Sequence, residues 1–153
     1  MSSYYINLRL LIAHPKLMTG LTNLIKGVIS SEKIDFETIC GVPYTELPIS
    51  TMLAVDLDKP MVLRRKEPKS YGTKQLIEGK YKVGDRCIIV EDVISTGSSV
   101  LETADDVEKV GLVVKNVIVM VDREEGGLKR LTDRGFKVHC LLINFKSDYQ
   151  YFI

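Results

Sequence analysis

The sequence predicts an α/β fold in which an open, mostly parallel sheet is covered on both faces by helices. Two apolar runs, Cys87 to Val90 and Val117 to Val121, show no alternation of polar and apolar residues, the pattern of strands buried on both faces. Segments with three- and four-residue apolar spacing fall between such runs, so helices and strands take turns along the chain.

In order, Leu17, Met18, Leu21, Leu24, Ile25, Val28 and Ile29 mark an amphipathic helix, and Pro15 suits its first turn. Phe36 to Cys40 reads as a short strand, broken by Gly41-Val42-Pro43-Tyr44. A second helix covers Glu46 to Val55, with Pro48 tolerated near its start. Pro60 to Arg64 is another strand, and Arg65 to Gly79 is polar, charged and almost free of periodicity. After Cys87 to Val90, the residues Val100, Leu101, Ala104, Val107 and Val110 mark a helix that Gly111 can cap. Val117 to Val121, a short helix over Leu128 to Arg134 and a strand over Phe136 to Ile143 complete the chain.

The 153 residues fit one domain, 1–153, large enough for a core without metal or disulfide staples. A net charge of +1 argues against a broad nucleic-acid footprint, so any affinity for anions must be local. Cys40, Cys87 and Cys140 are widely spaced beside apolar runs and read as strand-packed thiols. The early apolar run Leu8 to Ala13 is short and interrupted by Arg9, so it is no secretory signal, and no stretch is long enough to span a bilayer. The expected setting is cytoplasmic, without membrane or nucleic-acid partners.

Ligands bind such sheets beyond the carboxyl ends of the strands. There, Ile88-Ile89-Val90 leads into Glu91-Asp92, then Val93-Ile94, then Ser95-Thr96-Gly97-Ser98-Ser99 and a helix. A helix start offers unpaired N–H groups and a partial positive charge, Gly97 permits close approach and the hydroxyls add donors, which together make a phosphate cradle. The carboxylates, set back from it, suit a ribose diol and a cationic sugar centre. An ordinary strand–turn–helix joint capped by Ser98 or Ser99 would explain the serines and the glycine. It would not explain two adjacent acids at the end of an apolar strand, where desolvated charge is costly. A ribose 5-phosphate group is therefore the expected ligand.

Positive charge collects in Arg64, Arg65, Lys66, Lys69 and Lys74, and Gly72 could hinge that segment as a lid. A solvated loop with a basic face is the plain alternative. Arg123 follows the Val117 to Val121 strand and lands on the same edge as Asp92. It could meet a planar carboxylate, or simply pair with Glu124 or Glu125. His14 and His139 lack ligand-like spacing and suit a capping and a strand position.

IIVEDVISTGSSV is similar to the signature for phosphoribosyl pyrophosphate (PRPP) in type I phosphoribosyltransferases. GVPYTELPIS, VLRRKEPKSYGTKQLIEG and VDREEGG resemble the orotate phosphoribosyltransferase part of animal-type UMP synthase. The likeness runs from about Tyr5 to Cys140, with the four motifs in the family's order. It implies a Rossmann-like type I phosphoribosyltransferase fold. It also implies conversion of orotate and PRPP, with Mg²⁺, to orotidine 5′-monophosphate and pyrophosphate in UMP biosynthesis. Under that resemblance Glu91 and Asp92 hold the ribose hydroxyls, the cation comes mainly with the substrate near Asp92, and Ser95 to Ser99 take the 5′-phosphate. Arg65, Lys66 and Lys69 meet the pyrophosphate with Tyr71 beside them. Ser95 and Arg123 face orotate, and Tyr5, Ile6, Tyr44 and Thr45 line the site. The family's lid, Lys69 to Gly72 here, reaches the partner's site, which implies a homodimer.

Departures cluster near the termini. Family members carry a helix and a Lys-Ser-Gly sequence, whose lysine contacts orotate, ahead of the strand matched by Tyr5 to Arg9. The sequence begins at Met1, close to that match, so a reduced or missing hood is expected. Ser3 stands for a usual proline, Ser70 for an acid, Glu46 for a small or basic residue, and Phe145 to Ile153 does not follow the family's helical tail. The alternatives are a truncated, catalytically impaired form that binds PRPP or dimerises without useful turnover, and a relative that acts on another base.

Overall fold

Apolar strand runs and the helices between them assemble into one six-stranded sheet in the computed structural model, which describes residues 7–67 and 75–143. A 3-10 helix at Leu8–Ala13 leads into α1 (Pro15–Ser31), β1 (Thr38–Gly41), α2 (Leu47–Asp56), β2 (Met61–Arg64) and β3 (Ile77–Glu78). Then come β4 (Arg86–Ile94), α3 (Ser98–Lys109), β5 (Val113–Asp122), α4 (Gly127–Asp133) and β6 (Lys137–Ile143). The strand order is β3-β2-β1-β4-β5-β6. Every neighbouring pair is parallel except β2 and β3.

The pleat sends successive side chains of β4 to opposite faces. Ile88 and Val90 pack with Ile25 and Ile29 of α1 and Ile49 and Leu53 of α2. Cys87 and Ile89 pack with Val100, Ala104 and Val107 of α3 and Leu131 of α4. Both faces are thus apolar, as the unalternating run requires. In α1 the buried stripe is Met18, Thr22, Ile25 and Ile29, and the Thr22 hydroxyl donates to Met18 O at 2.9 Å, so its burial leaves no unpaired donor.

The helices and the order of the strands agree with the sequence, and three details differ. A short strand, β3, lies inside the segment expected to be irregular, paired antiparallel with β2 through Leu63↔Glu78 and Arg64↔Ile77. Strand β4 continues through Glu91 and Asp92 to Ile94, because Glu91↔Val119 and Val93↔Val121 keep pairing with β5. The 3-10 helix occupies Leu8–Ala13, overlapping the segment for which the resemblance implied a strand over Tyr5 to Arg9; residues 1–6 lie outside the described ones.

Cys40 and Cys87 are buried on neighbouring strands and Cys140 is partly so, all three as free thiols. Burial pushes the Cys40 thiol up to about 12 and the Cys87 thiol well above its ordinary value, which keeps both inert. His14 sits at the start of α1, and His139 of β6 pairs through Nε2 with Asn116 Oδ1 at 3.0 Å. No helix among the described residues is long and apolar enough to cross a membrane.

Candidate functional site

The crossover β1–α2–β2 leads one way from the pair β1/β4, and β4–α3–β5 leads the other. The loops that leave the carboxyl ends of β1 and β4 therefore diverge, opening a crevice where sheets of this kind take ligands. The segments that leave those two ends are residues 42–46 after β1 and Ser95 to Gly97 after β4.

Gly97 caps α3 at a φ of 75°, a left-handed conformation that a side chain would strain. No side chain caps α3, so the first-turn N–H groups at Ser98 and Ser99 stay open to an anion. The start of α4 closes the loop from behind, with Gly127 N donating to Ser95 O at 2.8 Å. A Cβ at Gly127 would lie 2.6 Å from Ser95 O and 3.0 Å from Gly97 N, so only glycine fits. Thr96 Oγ1 and Ser98 Oγ lie 3.1 Å apart, and Arg130 Nη1 donates to Ser98 Oγ at 2.9 Å.

The two adjacent acids part company across the pleat. Glu91 is 5% exposed, and its Oε2 accepts from the Ser99 hydroxyl at 2.7 Å while Oε1 accepts from Asp92 N at 3.1 Å. Burial first, with the neighbouring Asp92 adding to it, raises the Glu91 carboxyl above the ordinary carboxylate range, and the Ser99 hydrogen bond opposes the rise. Asp92 instead lines a cavity of about 140 Å³ with Asn7, Leu8, Arg9, Val93, Ser95 and Arg123. That is smaller than the roughly 300–1,000 Å³ of most small-molecule pockets, with room for about one ring.

Arg123 is held by its backbone, whose N–H donates to Ile94 O at 3.0 Å, and its guanidinium meets Glu125 at 3.0 Å. Of the two partners the sequence offered, a ligand carboxylate or a neighbouring acid, the structure shows the acid, Glu125, and it places Arg123 on the wall of the cavity. Arg9 reaches the same cavity and donates from Nε to Thr45 Oγ1 at 3.3 Å. Neither Arg9 nor Arg130 emerged from the sequence. Their only signals were a charge interrupting the Leu8 to Ala13 run and a cation one turn past the Gly126-Gly127 pair.

The basic segment divides. Arg64, expected in the cationic cluster, pairs with Asp106 at 2.8 Å under α3 while still bordering the depression that Arg65 and Lys66 line. Arg65 pairs with Glu78 at 3.0 Å, and Lys66 Nζ sits 4.9 Å from the centre of the Tyr44 ring. Tyr44 and Lys66 line two adjoining depressions of about 530 and 420 Å³, with Arg65 in the first and Thr45 and Arg9 in the second. Lys69, Tyr71 and the rest of the expected lid, with Tyr5 and Ile6, lie outside the described residues.

Glu46 is fully buried at the start of α2, and neither of its carboxylate oxygens has a hydrogen-bond partner, nor does Ser50 Oγ one turn on. Burial first, then the charges of Asp92 and Glu91, push its carboxyl up to about 9. Among the described residues, no group of three His, Cys, Asp or Glu side chains is placed to hold a metal ion.

The phosphoribosyl transferase domain model matches residues 10–151. Uridine 5′-monophosphate synthase of Bos taurus is 46% identical over 140 residues, 92% of the chain, and the chain spans only 29% of that protein's length. Orotate phosphoribosyltransferase of Pyrococcus furiosus is 40% identical over 142 residues, 93% of the chain and 78% of that enzyme. The crystal structure of orotate phosphoribosyltransferase from Aeropyrum pernix superposes with a TM-score of 0.80 at 27% identity, covering 93% of the chain and 80% of its own.

Proposed function

The chain belongs to the phosphoribosyl transferase family, and from that premise we propose that it is an orotate phosphoribosyltransferase acting in UMP biosynthesis. It would join orotate to the ribose 5-phosphate of PRPP and release pyrophosphate, within one domain spanning 1–153. The observation that carries this reading is the cavity in which Arg123, Asp92 and Ser95 meet directly beside the open N–H groups of α3.

A 5′-phosphate at Ser95 to Ser99 brings the ribose over Asp92. As the bond to pyrophosphate breaks, the sugar becomes cationic, and the Asp92 carboxylate opposes that charge at short range. Glu91 also belongs to the PRPP site, and its bonds to Ser99 and the Asp92 amide make it the brace that holds phosphate loop and ribose carboxylate in register. Val93 and Ile94 carry the backbone from one to the other. The guanidinium of Arg123 suits the carboxylate of orotate. Tyr44 and Thr45, with Tyr5 and Ile6 ahead of them, wall the base.

Arg65, Lys66, Lys69 and Tyr71 take the leaving pyrophosphate. Asp92 is the carboxylate that lines the cavity, so a Mg²⁺ there would draw its other ligands from substrate oxygens. Bound, it would neutralise charge on the departing pyrophosphate. The segment Lys69 to Gly72 would reach the site of a second copy, making a cytoplasmic homodimer; sedimentation showing only monomers would refute that part.

Incubating the protein with orotate, PRPP and Mg²⁺ tests the main reading. Formation of orotidine 5′-monophosphate and pyrophosphate in equal amounts is expected. No product from orotate would overturn it, and product from another base in a panel would reassign the acceptor.

A further inference from the structure

Helix α4 and its C-cap carry three cations, Lys129, Arg130 and Arg134, and they are not treated alike. Lys129 pairs with Asp133 at 2.5 Å. Arg134 pairs with Glu108 at 2.9 Å and Asp105 at 3.4 Å on α3. Arg130 lies one turn before Arg134 on the same stripe of α4, at the end nearer the phosphate loop. Among the described residues it has no carboxylate partner. Its Nη1 donates only to neutral oxygens of that loop, Ser98 Oγ at 2.9 Å and Thr96 O at 3.4 Å.

A guanidinium offers five N–H donors and accepts nothing. With Arg130 donating into Ser98 Oγ, the Ser98 hydroxyl must give its own proton elsewhere. Thr96 Oγ1 is within reach at 3.1 Å, and an anion seated on the loop is a stronger acceptor. Arg130 therefore raises the donor strength of the hydroxyl and sets its direction. It also adds a positive charge beside an anion site that the backbone alone would hold with dipoles. The contact is specified by close packing, since Gly127 at the start of α4 leaves no room for a Cβ against Ser95 O and Gly97 N.

Resting on the reading that Ser95 to Ser99 hold the 5′-phosphate of PRPP, we propose that Arg130 is a positioning residue for that phosphate, turning the Ser98 hydroxyl toward it and sharing its charge. The phosphate site then spans two helices, α3 and α4.

The test compares Arg130→Ala, Arg130→Lys, Ser98→Ala and the double variant Arg130→Ala/Ser98→Ala with the unaltered protein. Melting temperatures are recorded first, and ribose 5-phosphate and pyrophosphate serve as separate competitive ligands. Arg130→Ala should weaken ribose 5-phosphate about tenfold, the size of one charge-assisted hydrogen bond. Pyrophosphate should hold its affinity, the kinetic loss should fall on KM for PRPP rather than kcat, and Lys should restore part of it. Because Arg130 acts through Ser98, the double variant should lose less than the product of the single losses. Equal weakening of both ligands, a change under twofold for ribose 5-phosphate, or independent single losses would overturn the proposal. Should the unaltered protein bind neither PRPP nor ribose 5-phosphate, the PRPP reading itself fails, and that outcome is distinct from a failure of Arg130.

Discussion

The Ser99 hydroxyl donates a 2.7 Å hydrogen bond to Glu91 Oε2, tying the first turn of α3 to the buried acid of β4. Glu91 also holds the amide of Asp92 at 3.1 Å. One buried side chain thus sets the distance between the first turn of α3 and the acid that lines the cavity.

Ser99→Ala removes a donor from a buried carboxylate and should cost about 1–3 kcal/mol of stability at neutral pH. The direction of its pH dependence follows from the raised Glu91 carboxyl. Unfolded chains release that proton at an ordinary carboxylate pH while the folded state keeps it, so stability falls as pH rises between the two values. Losing the Ser99 bond lifts the folded value further and steepens the fall. Denaturant midpoints at pH 5, 7 and 8.5 read this directly, and a pH-independent loss would contradict it.

Glu46 should behave as a stability defect. Its carboxyl, buried without a hydrogen-bond partner and pushed up to about 9, keeps its proton in the fold long after the unfolded chain has lost it. Its contribution to stability is therefore fully present below about pH 4.5 and is lost as pH rises towards about 9. Glu46→Gln should flatten that decline and raise stability at pH 8 by an amount on the order of a few kcal/mol. An unchanged slope in the variant would show that Glu46 is not the group responsible.

The Arg64–Asp106 pair, with side chains only 13% and 10% exposed, pins β2 to α3. Arg64→Met leaves Asp106 with Lys109 at 2.9 Å, so the loss should sit near the lower end of the range for broken buried pairs, about 3 kcal/mol. Chemical denaturation measures it, and a loss below about 0.5 kcal/mol, the size typical of surface changes, would mean the pair behaves as an exposed one.

Arg123→Lys keeps the charge and gives up the planar fork, so KM for orotate should rise about tenfold while the affinity for PRPP changes little. Glu125→Gln should act the other way by releasing the guanidinium from its 3.0 Å partner. Steady-state kinetics with each substrate varied in turn separates the two effects; a larger change for PRPP than for orotate would place Arg123 elsewhere in the site.

Much of the fold was legible in local pattern. The unbroken apolar runs at Cys87 to Val90 and Val117 to Val121 became the buried core of β4 and β5, and the period of Leu17 to Ile29 became the stripe of α1. Ser95 to Ser99 became the turn into α3, with Gly97 left-handed at its cap, because glycine and hydroxyls favour a helix start. What the sequence did not show depends on contacts between distant segments. β3 is only two residues long and exists by pairing Leu63 with Glu78. Arg64 pairs with an acid 42 positions away, and Arg130 joined the loop across 32.

The two adjacent acids of β4 divide the same way. The sequence by itself determined that Glu91 and Asp92 would stand near the carboxyl end of a buried strand, since composition and order place them there. Only the tertiary structure decided that Glu91 turns inward to brace α3 while Asp92 faces the cavity, because pleat and helix packing set which face each side chain takes.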